Sequence, residues 1–272
     1  MNIELGICAI AYNGYGKYVK GLLENINKMS PKPKQVTIVL GRGHGCEDSI
    51  ETLSKAFSRL VVIKDDKAPT MGRLRNVAVA NTPTEWIMYV SVDDLIERTA
   101  IRTFSQYADY DYICASWYKV DLKGEITGHS SVTPYTYYKN QSKLREDGRR
   151  RKGGFIIGHS PYKRWLWEKT KYPEHDYPNS PFVLGCVLNK AKFVRCEKPT
   201  TTYVKHEGSH SLTTLLIKTE KRKANLYKGE FEKGIKSYYE QRRIERRRRA
   251  KRCRRCEINR QAKNPATDMG AK

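Results

Sequence analysis

The chain has 272 residues, 39% of them hydrophobic and 18 of them tyrosine, enough to bury a real core, which excludes a disordered chain. No run approaches the roughly 18–20 apolar residues of a membrane span, and seven irregularly spaced cysteines point to free thiols in a reducing compartment, not a disulfide scaffold. The formal net charge of +23 is lopsided: residues 1–120 hold 15 Lys+Arg against 13 Asp+Glu, residues 121–241 hold 24 against 13, and residues 242–272 hold 13 against 3.

The N-terminus, MNIELGICAIAYNG, lacks the basic start and long apolar stretch of a secretion signal and reads as a first strand. LGICAIAY (5–12) is a buried strand and GKYVKGLLENINKM (16–29) an amphipathic helix. QVTIVL (35–40) is a second strand, closed by the glycine-rich GRGHG. SIETLSKAFSRL (49–60) follows as a helix, VVIK (61–64) as a strand, MGRLRNVAVAN (71–81) as a helix and WIMYVSV (86–92) as a strand. Strand–helix alternation with continuous apolar strands predicts a parallel sheet covered on both faces. Ligands of such sheets bind beyond the C-terminal strand ends, where GRGHG and VDD both fall. The middle of the chain (105–210) is less regular, with strand-like pieces in YDYICASWYKV and SPFVLGCVL. Beyond about 213 the pattern is strongly helical, and INRQAKNPATDMGAK reads as a frayed or disordered end.

The fourth strand ends on two adjacent carboxylates, Asp93 and Asp94. Like charges at close range need a cation, a basic side chain or water to offset them. One reading is a divalent ion, Mg²⁺ or Mn²⁺, held by one or two carboxylates and completed by substrate phosphate oxygens. The other is a strand end where Asp93 faces water and Asp94 caps a helix beginning LIERTAIRTF.

MGRLRNVAVANTPTEWIMYVSVDD resembles the signature of family 2 glycosyltransferases of the GT-A type. There an Arg-Asn pair on a helix is followed by small residues, a turn, and an apolar strand ending in Asp-x-Asp. AIAYNGYGKYVKGLLENI is similar to the family's first nucleotide-binding strand and helix. YPEHDYPNSPFVLGCVLNKAKFV resembles its acceptor-side block, where an acid precedes a helix, and TTYVKHEGSHS the segment returning a histidine to the metal. The resemblance runs over residues 4–211 in the right order. It implies a three-layer α/β/α sandwich with a mostly parallel sheet and hexosyl transfer, with inversion, from a nucleotide-sugar, a UDP-sugar first among the candidates. Two departures stand out: Ser91 replaces the first aspartate of Asp-x-Asp, and Gly41 stands where the family commonly places an aspartate that reads uracil, leaving Glu47 or Asp48 as substitutes.

Carried over residue by residue, the resemblance places Ala11, Tyr12, Asn13, Gly41, Arg75, Asn76, Val92 and Asp93 around the donor, and Asp93, Asp94 and His206 on the metal. Asp176, with Glu174 second, becomes the base that takes the acceptor's proton. Each has a structural alternative: a surface salt bridge for Arg75 and Arg73, a turn aspartate beside prolines for Asp176, and a structural histidine for His206. Trp165 and Trp167 read as packing residues ahead of an acceptor pocket, and GRGHG as either a phosphate cradle or a flexible turn.

The resemblance implies a transferase region at 1–212, with nucleotide-sugar (1–104) and acceptor (105–212) halves, followed by a basic helical extension at 213–256 and a tail at 257–272. RRIERRRRAKRCRRC (242–256) and KLREDGRRRKGG (143–154), with aromatics in TPYTYYKN and SPYKRWLW nearby, suit a polyanion. Cys253 and Cys256, with no second pair near, do not suggest zinc. Three acceptor readings follow: DNA carrying a hydroxylated base, as in bacteriophage base-modifying glycosyltransferases; a cell-surface glycan or lipid-linked sugar, the tail resting on an anionic membrane surface; or a non-catalytic nucleic-acid-binding protein on a transferase fold. The tail lacks the Trp/Phe/Leu face of an interfacial anchor, which favours nucleic acid. The expected location is the cytoplasm of a bacterial or phage-infected cell.

Overall fold

The computed structural model describes residues 2–46, 58–68, 70–129, 132–139, 159–176, 178–204, 229–230, 232–248 and 250. The four apolar runs of the first half form β1 (Leu5–Ala11), β2 (Gln35–Gly41), β3 (Leu60–Asp65) and β4 (Trp86–Tyr89). They pair in parallel in the order β3-β2-β1-β4. Side chains alternate between the faces of a strand. Leu5, Ile7, Ala9 and Ala11 therefore join Val36, Ile38, Leu40, Trp86 and Met88 in one core, while Cys8, Ile10, Val39, Ile87 and Tyr89 join the other. With both faces buried there is no polar alternation to see, which is why these strands read as unbroken apolar runs.

Helices cover each face. A 3₁₀ turn (Tyr15–Tyr18) leads into α1 (Val19–Asn27), which buries Val19, Leu22, Leu23 and Ile26, the one-sided spacing of an amphipathic helix. On the opposite face, α2 (Met71–Ala80) buries Leu74, Ala78 and Val79. α3 (Ala100–Ser105) shares the first core with α1. α4 (Arg164–Thr170) and α5 (Asn179–Leu188) share the second with α2. The result is the expected three-layer α/β/α arrangement.

The second half extends the same sheet through β5 (Leu95–Ile96), β6 (Tyr112–Val120), β7 (Ile126–His129), β8 (Tyr162–Lys163) and β9 (Phe193–Val204). The order continues β4-β8-β6-β9-β5, with β7 pairing β6. β8 runs antiparallel to both β4 and β6.

Three expectations need correction or fall away. SPFVLGCVL, which reads as strand-like, lies in α5: its residues are apolar on every side, so nine of them show neither a period of two nor one of 3.6. The helix expected straight after Asp94 starts only at Ala100, because Leu95 and Ile96 first pair with β9. Most of the helix expected at 49–60, the cluster at 143–154 and the stretches 205–228 and 251–272 lie outside the described residues.

Residues 232–248 are helical. This C-terminal helix packs Ile235, 1% exposed, into the second core, with Tyr238 and Tyr239 against it. At Gly234 a Cβ would stand 2.6 Å from Leu184 Cδ2, so the helix lies close against α5 there and a larger residue would need the Leu184 side chain to shift. Tyr137 donates to Glu232 Oε1 at 3.0 Å. Among the described residues no helix is long and apolar enough to cross a membrane.

Candidate active site

β1 lies between β2 and β4, and the chain's direction of travel across the sheet reverses there. Loops leaving the C-terminal ends of strands diverge at such a point and open a crevice. Tyr12 and Asn13 follow β1, and Asp93 and Asp94 lie just beyond β4, on either side of it.

The two aspartates part company. Asp94 is 1% exposed. Its Oδ1 accepts from the Val204 amide at 3.3 Å, and its Oδ2 stands 2.8 Å from His159 Nε2. That second contact is close but off the N–H line, leaving Nε2 without an aligned hydrogen-bond partner among the described residues. His159, 7% exposed, takes a left-handed backbone with φ of 65° while its amide donates to Tyr89 O at 3.1 Å. Asp94 thus ties the end of β4 to β9 and to the segment entering β8. Asp93 is half-buried and left at the crevice. Burial pushes the Tyr15 phenol above its ordinary value, and the Asp93 carboxylate adds to the rise. Tyr203, raised by burial, also feels Asp94 and then Asp93.

Across from them sits Arg75, 5% exposed. Its guanidinium lies 3.8 Å from the Tyr89 ring centroid and 5.5 Å from that of Tyr172. It donates to Asn179 Oδ1 and reaches Met71 Sδ at 3.4 Å. Nε has no hydrogen-bond partner, and no carboxylate pairs with Arg75 among the described residues. A buried cation without a counter-ion costs several kcal/mol. Two ring faces offset part of that, and an arriving anion would offset more. Tyr89 links the two charges: burial raises its phenol most, Arg75 pulls it down, and Asp93 and Asp94 push it up.

The remaining expected residues divide. Asp176 Oδ1 accepts from the Met71 amide at 3.1 Å, while the His175 carbonyl accepts from Gly72 N–H at 3.1 Å. Asp176 therefore caps α2, satisfying one of the orphan donors of its first turn. It also faces the site: Tyr12, whose phenol burial raises, feels Asp176 as well as Arg75. Glu174 lies outside, exposed and 3.7 Å from Arg73. Asn76 is turned away. Its Nδ2 donates to Tyr172 O at 2.8 Å, and its Oδ1 accepts from Trp167 Nε1 and Tyr172 N–H at 2.9 Å each. Trp167 is buried, as the packing reading expects. His206, Glu47 and Asp48 lie outside the described residues.

The donor-side loops are tied together. The amides of Asn13, Gly14 and Gly16 donate to the carbonyls of Arg42, Gly43 and His44 at 3.0, 2.7 and 2.7 Å. GRGHG thus spends carbonyls on the loop after β1, an arrangement unlike an N–H cradle. Ala11 is buried, and Val92 is 3% exposed in the first core, so each brings backbone at most to the crevice. At Gly41 a Cβ would meet Leu74 Cδ1 at 2.9 Å and Tyr12 Cβ at 3.3 Å. A side chain there would need that of Leu74 to move aside.

Sequence reasoning missed His159, Tyr89, Tyr172 and Asn179. The only trace of His159 is a lone histidine before Ser-Pro, and its partner is remote in the chain. Among the described residues no three His, Cys, Asp or Glu side chains gather as a metal cage. The carboxylate in place, Asp93, suits a hard divalent ion that takes its other ligands from phosphate oxygens and water.

No protein-family model matches the sequence, and no curated protein matches it. Solved structures do. S. aureus TarS 1-349 in complex with UDP-GlcNAc is 18% identical with a TM-score of 0.57, covering 76% of this chain and 60% of that one. S. aureus TarS is 17% identical with a TM-score of 0.56, covering 74% and 37%. The mannosyltransferase PcManGT from Pyrobaculum calidifontis, in complex with GDP-Man and Mn2+, is 14% identical with a TM-score of 0.56, covering 80% and 61%. The fold is GT-A. At these identities the likeness is one of fold, and the chain spans less than two thirds of the length of each of these neighbours.

Proposed function

We propose that the chain is a metal-dependent glycosyltransferase that moves a sugar from a nucleotide-sugar to a hydroxyl, with inversion. The observation carrying this reading is the buried guanidinium of Arg75, with no carboxylate partner among the described residues, lying over Tyr89 of β4, the strand that leads to Asp93 at the β1/β4 switch point. A nucleoside diphosphate has the charge to satisfy both: phosphate oxygens on the guanidinium, and a divalent ion between the diphosphate and Asp93. That two structures of this fold hold UDP-GlcNAc and GDP-Man with Mn2+ agrees with it.

Mn²⁺ or Mg²⁺ would be held by Asp93 and donor phosphates, with His206 a further ligand, and would neutralise charge as the diphosphate leaves. Asp94 contributes by fixing the backbone on which Asp93 stands. Asp176 takes the acceptor's proton through the carboxylate oxygen not bound to Met71 N–H. The acceptor hydroxyl then attacks the anomeric carbon, the bond to diphosphate breaks, and the diphosphate carries away the electron pair. Gly41 leaves no side chain to read a uracil, so base recognition falls to backbone groups and Tyr12. The charge distribution favours nucleic acid as acceptor, with a hydroxylated base supplying the hydroxyl.

Nucleotide release from UDP- and GDP-sugars, with Mn²⁺ and with chelator, tests the reading without knowledge of the acceptor. Release is expected to require metal and to fall at least about 100-fold in Asp93→Ala, with unchanged circular dichroism. A fully active Asp93→Ala protein would overturn the site. Mass gain on hydroxymethylated DNA tests the acceptor, and nucleotide release without it would overturn that part alone.

A further inference from the structure

Away from the crevice, the helical residues 134–139 and the C-terminal helix enclose a groove of about 440 Å³, lined by Tyr135, Tyr138, Tyr239, Arg242, Arg243, Arg246 and Arg247. We infer that this groove binds a single-stranded segment of nucleic acid, its phosphates on the arginines and its bases on the tyrosines. The inference deepens the acceptor half of the proposed function.

The groove is a built surface. Tyr138 stacks on Tyr239 with centroids 5.4 Å apart and planes at 26°, and Tyr135 tilts over Tyr239 at 5.2 Å. Tyr239 is anchored against the second core, so the aromatic floor is fixed to the folded body. Tyr135 is 43% exposed. Arg242 with Arg246, and Arg243 with Arg247, are like-charged pairs one helical turn apart, an arrangement that opposes the helix until an anion intervenes. No carboxylate lines the groove among the described residues. Glu232 accepts from Tyr137, Glu240 pairs with Lys236 at 3.7 Å, and Glu245 lines the neighbouring cleft, which shares Arg242 and Arg246 with this groove.

These features select among polyanions. Guanidinium forks take phosphate oxygens in pairs. Ring faces add affinity only for a ligand with its own flat rings unpaired, which a duplex hides and a lipid headgroup lacks. An anionic bilayer would meet an exposed apolar face, and on the described part of this helix Ile244 is the one large exposed aliphatic side chain.

Fluorescence anisotropy of labelled oligothymidylate twelve nucleotides long, with the full chain, tests the inference. Tyr135→Ala is expected to weaken binding on the order of tenfold while leaving inorganic polyphosphate binding unchanged. Arg243→Ala with Arg247→Ala should weaken both and lower the slope of log affinity against log salt by about 1.4. Unchanged oligothymidylate binding in Tyr135→Ala would overturn the inference. So would tighter binding of a duplex of the same length, or capture by phosphatidylserine vesicles without oligothymidylate binding. The oligonucleotide measurement uses no sugar donor and nucleotide release uses no oligonucleotide, so the two proposals fail separately.

Discussion

Arg75 and Asp94 are both buried, but differently: Arg75 has neutral partners and no carboxylate among the described residues, while Asp94 holds an amide and a histidine. Arg75→Lys keeps the charge and loses the fork that bonds Asn179 while lying over Tyr89. The expected result is a rise in donor KM of roughly tenfold in steady-state kinetics. Asp94→Ala strands the Val204 amide and His159 in the interior. A loss of about 1–3 kcal/mol in urea unfolding is expected. At this scale Asp93 drew notice as a local pattern, two like charges ending a buried strand, and Arg75 through the family resemblance. The rest was not legible. Asn76 reads as Arg75's companion, yet its amide is spent on Trp167 of α4 and Tyr172 just after it, contacts far along the chain. His159 gave no signal, since its meaning lies wholly in its contact with Asp94.

At the level of elements, α2 holds the site in place. Thr70 caps it through its side chain, the Asp176 carboxylate and His175 carbonyl hold its first amides, and Gly72 lets the 173–175 backbone close in. A Cβ at Gly72 would stand 1.8 Å from Pro173 O and 3.0 Å from His175 O. Backbone cannot swing aside as a flexible side chain can. Gly72→Ala should therefore destabilise the fold by about 1–3 kcal/mol and shift Asp176, lowering turnover as well as the urea midpoint. The parallel strands were legible because burial on both faces leaves a continuous apolar signature. β5 and β8 were not, each being two residues defined only by its neighbours. α5 was read as strand-like from its composition, and only the acid-before-helix resemblance pointed the other way.

Across the whole molecule, the second core is rich in buried phenols. Burial raises Tyr89, Tyr112, Tyr162 and Tyr172 above the usual value of 10.0. Unfolded, these groups lose protons near that value, while in the fold they hold them longer. Their contribution is complete below about pH 10 and is lost as pH rises beyond it, because the unfolded state then binds fewer protons. Urea midpoints should fall steeply between about pH 10 and 11, with part of the phenolate absorbance appearing only on unfolding. The two halves of the sheet meet in one place. Tyr162 pairs with Ile87 of β4 on one side and with Tyr112 of β6 on the other. A chain cut between residues 140 and 158 would leave its first piece with two one-strand gaps, between β4 and β6 and between β6 and β5, that β8 and β9 of the second piece fill. Reassembly of two separately made fragments would thus restore the sheet by inserting β8 and β9, and the regained absorbance of buried tyrosines would report the event.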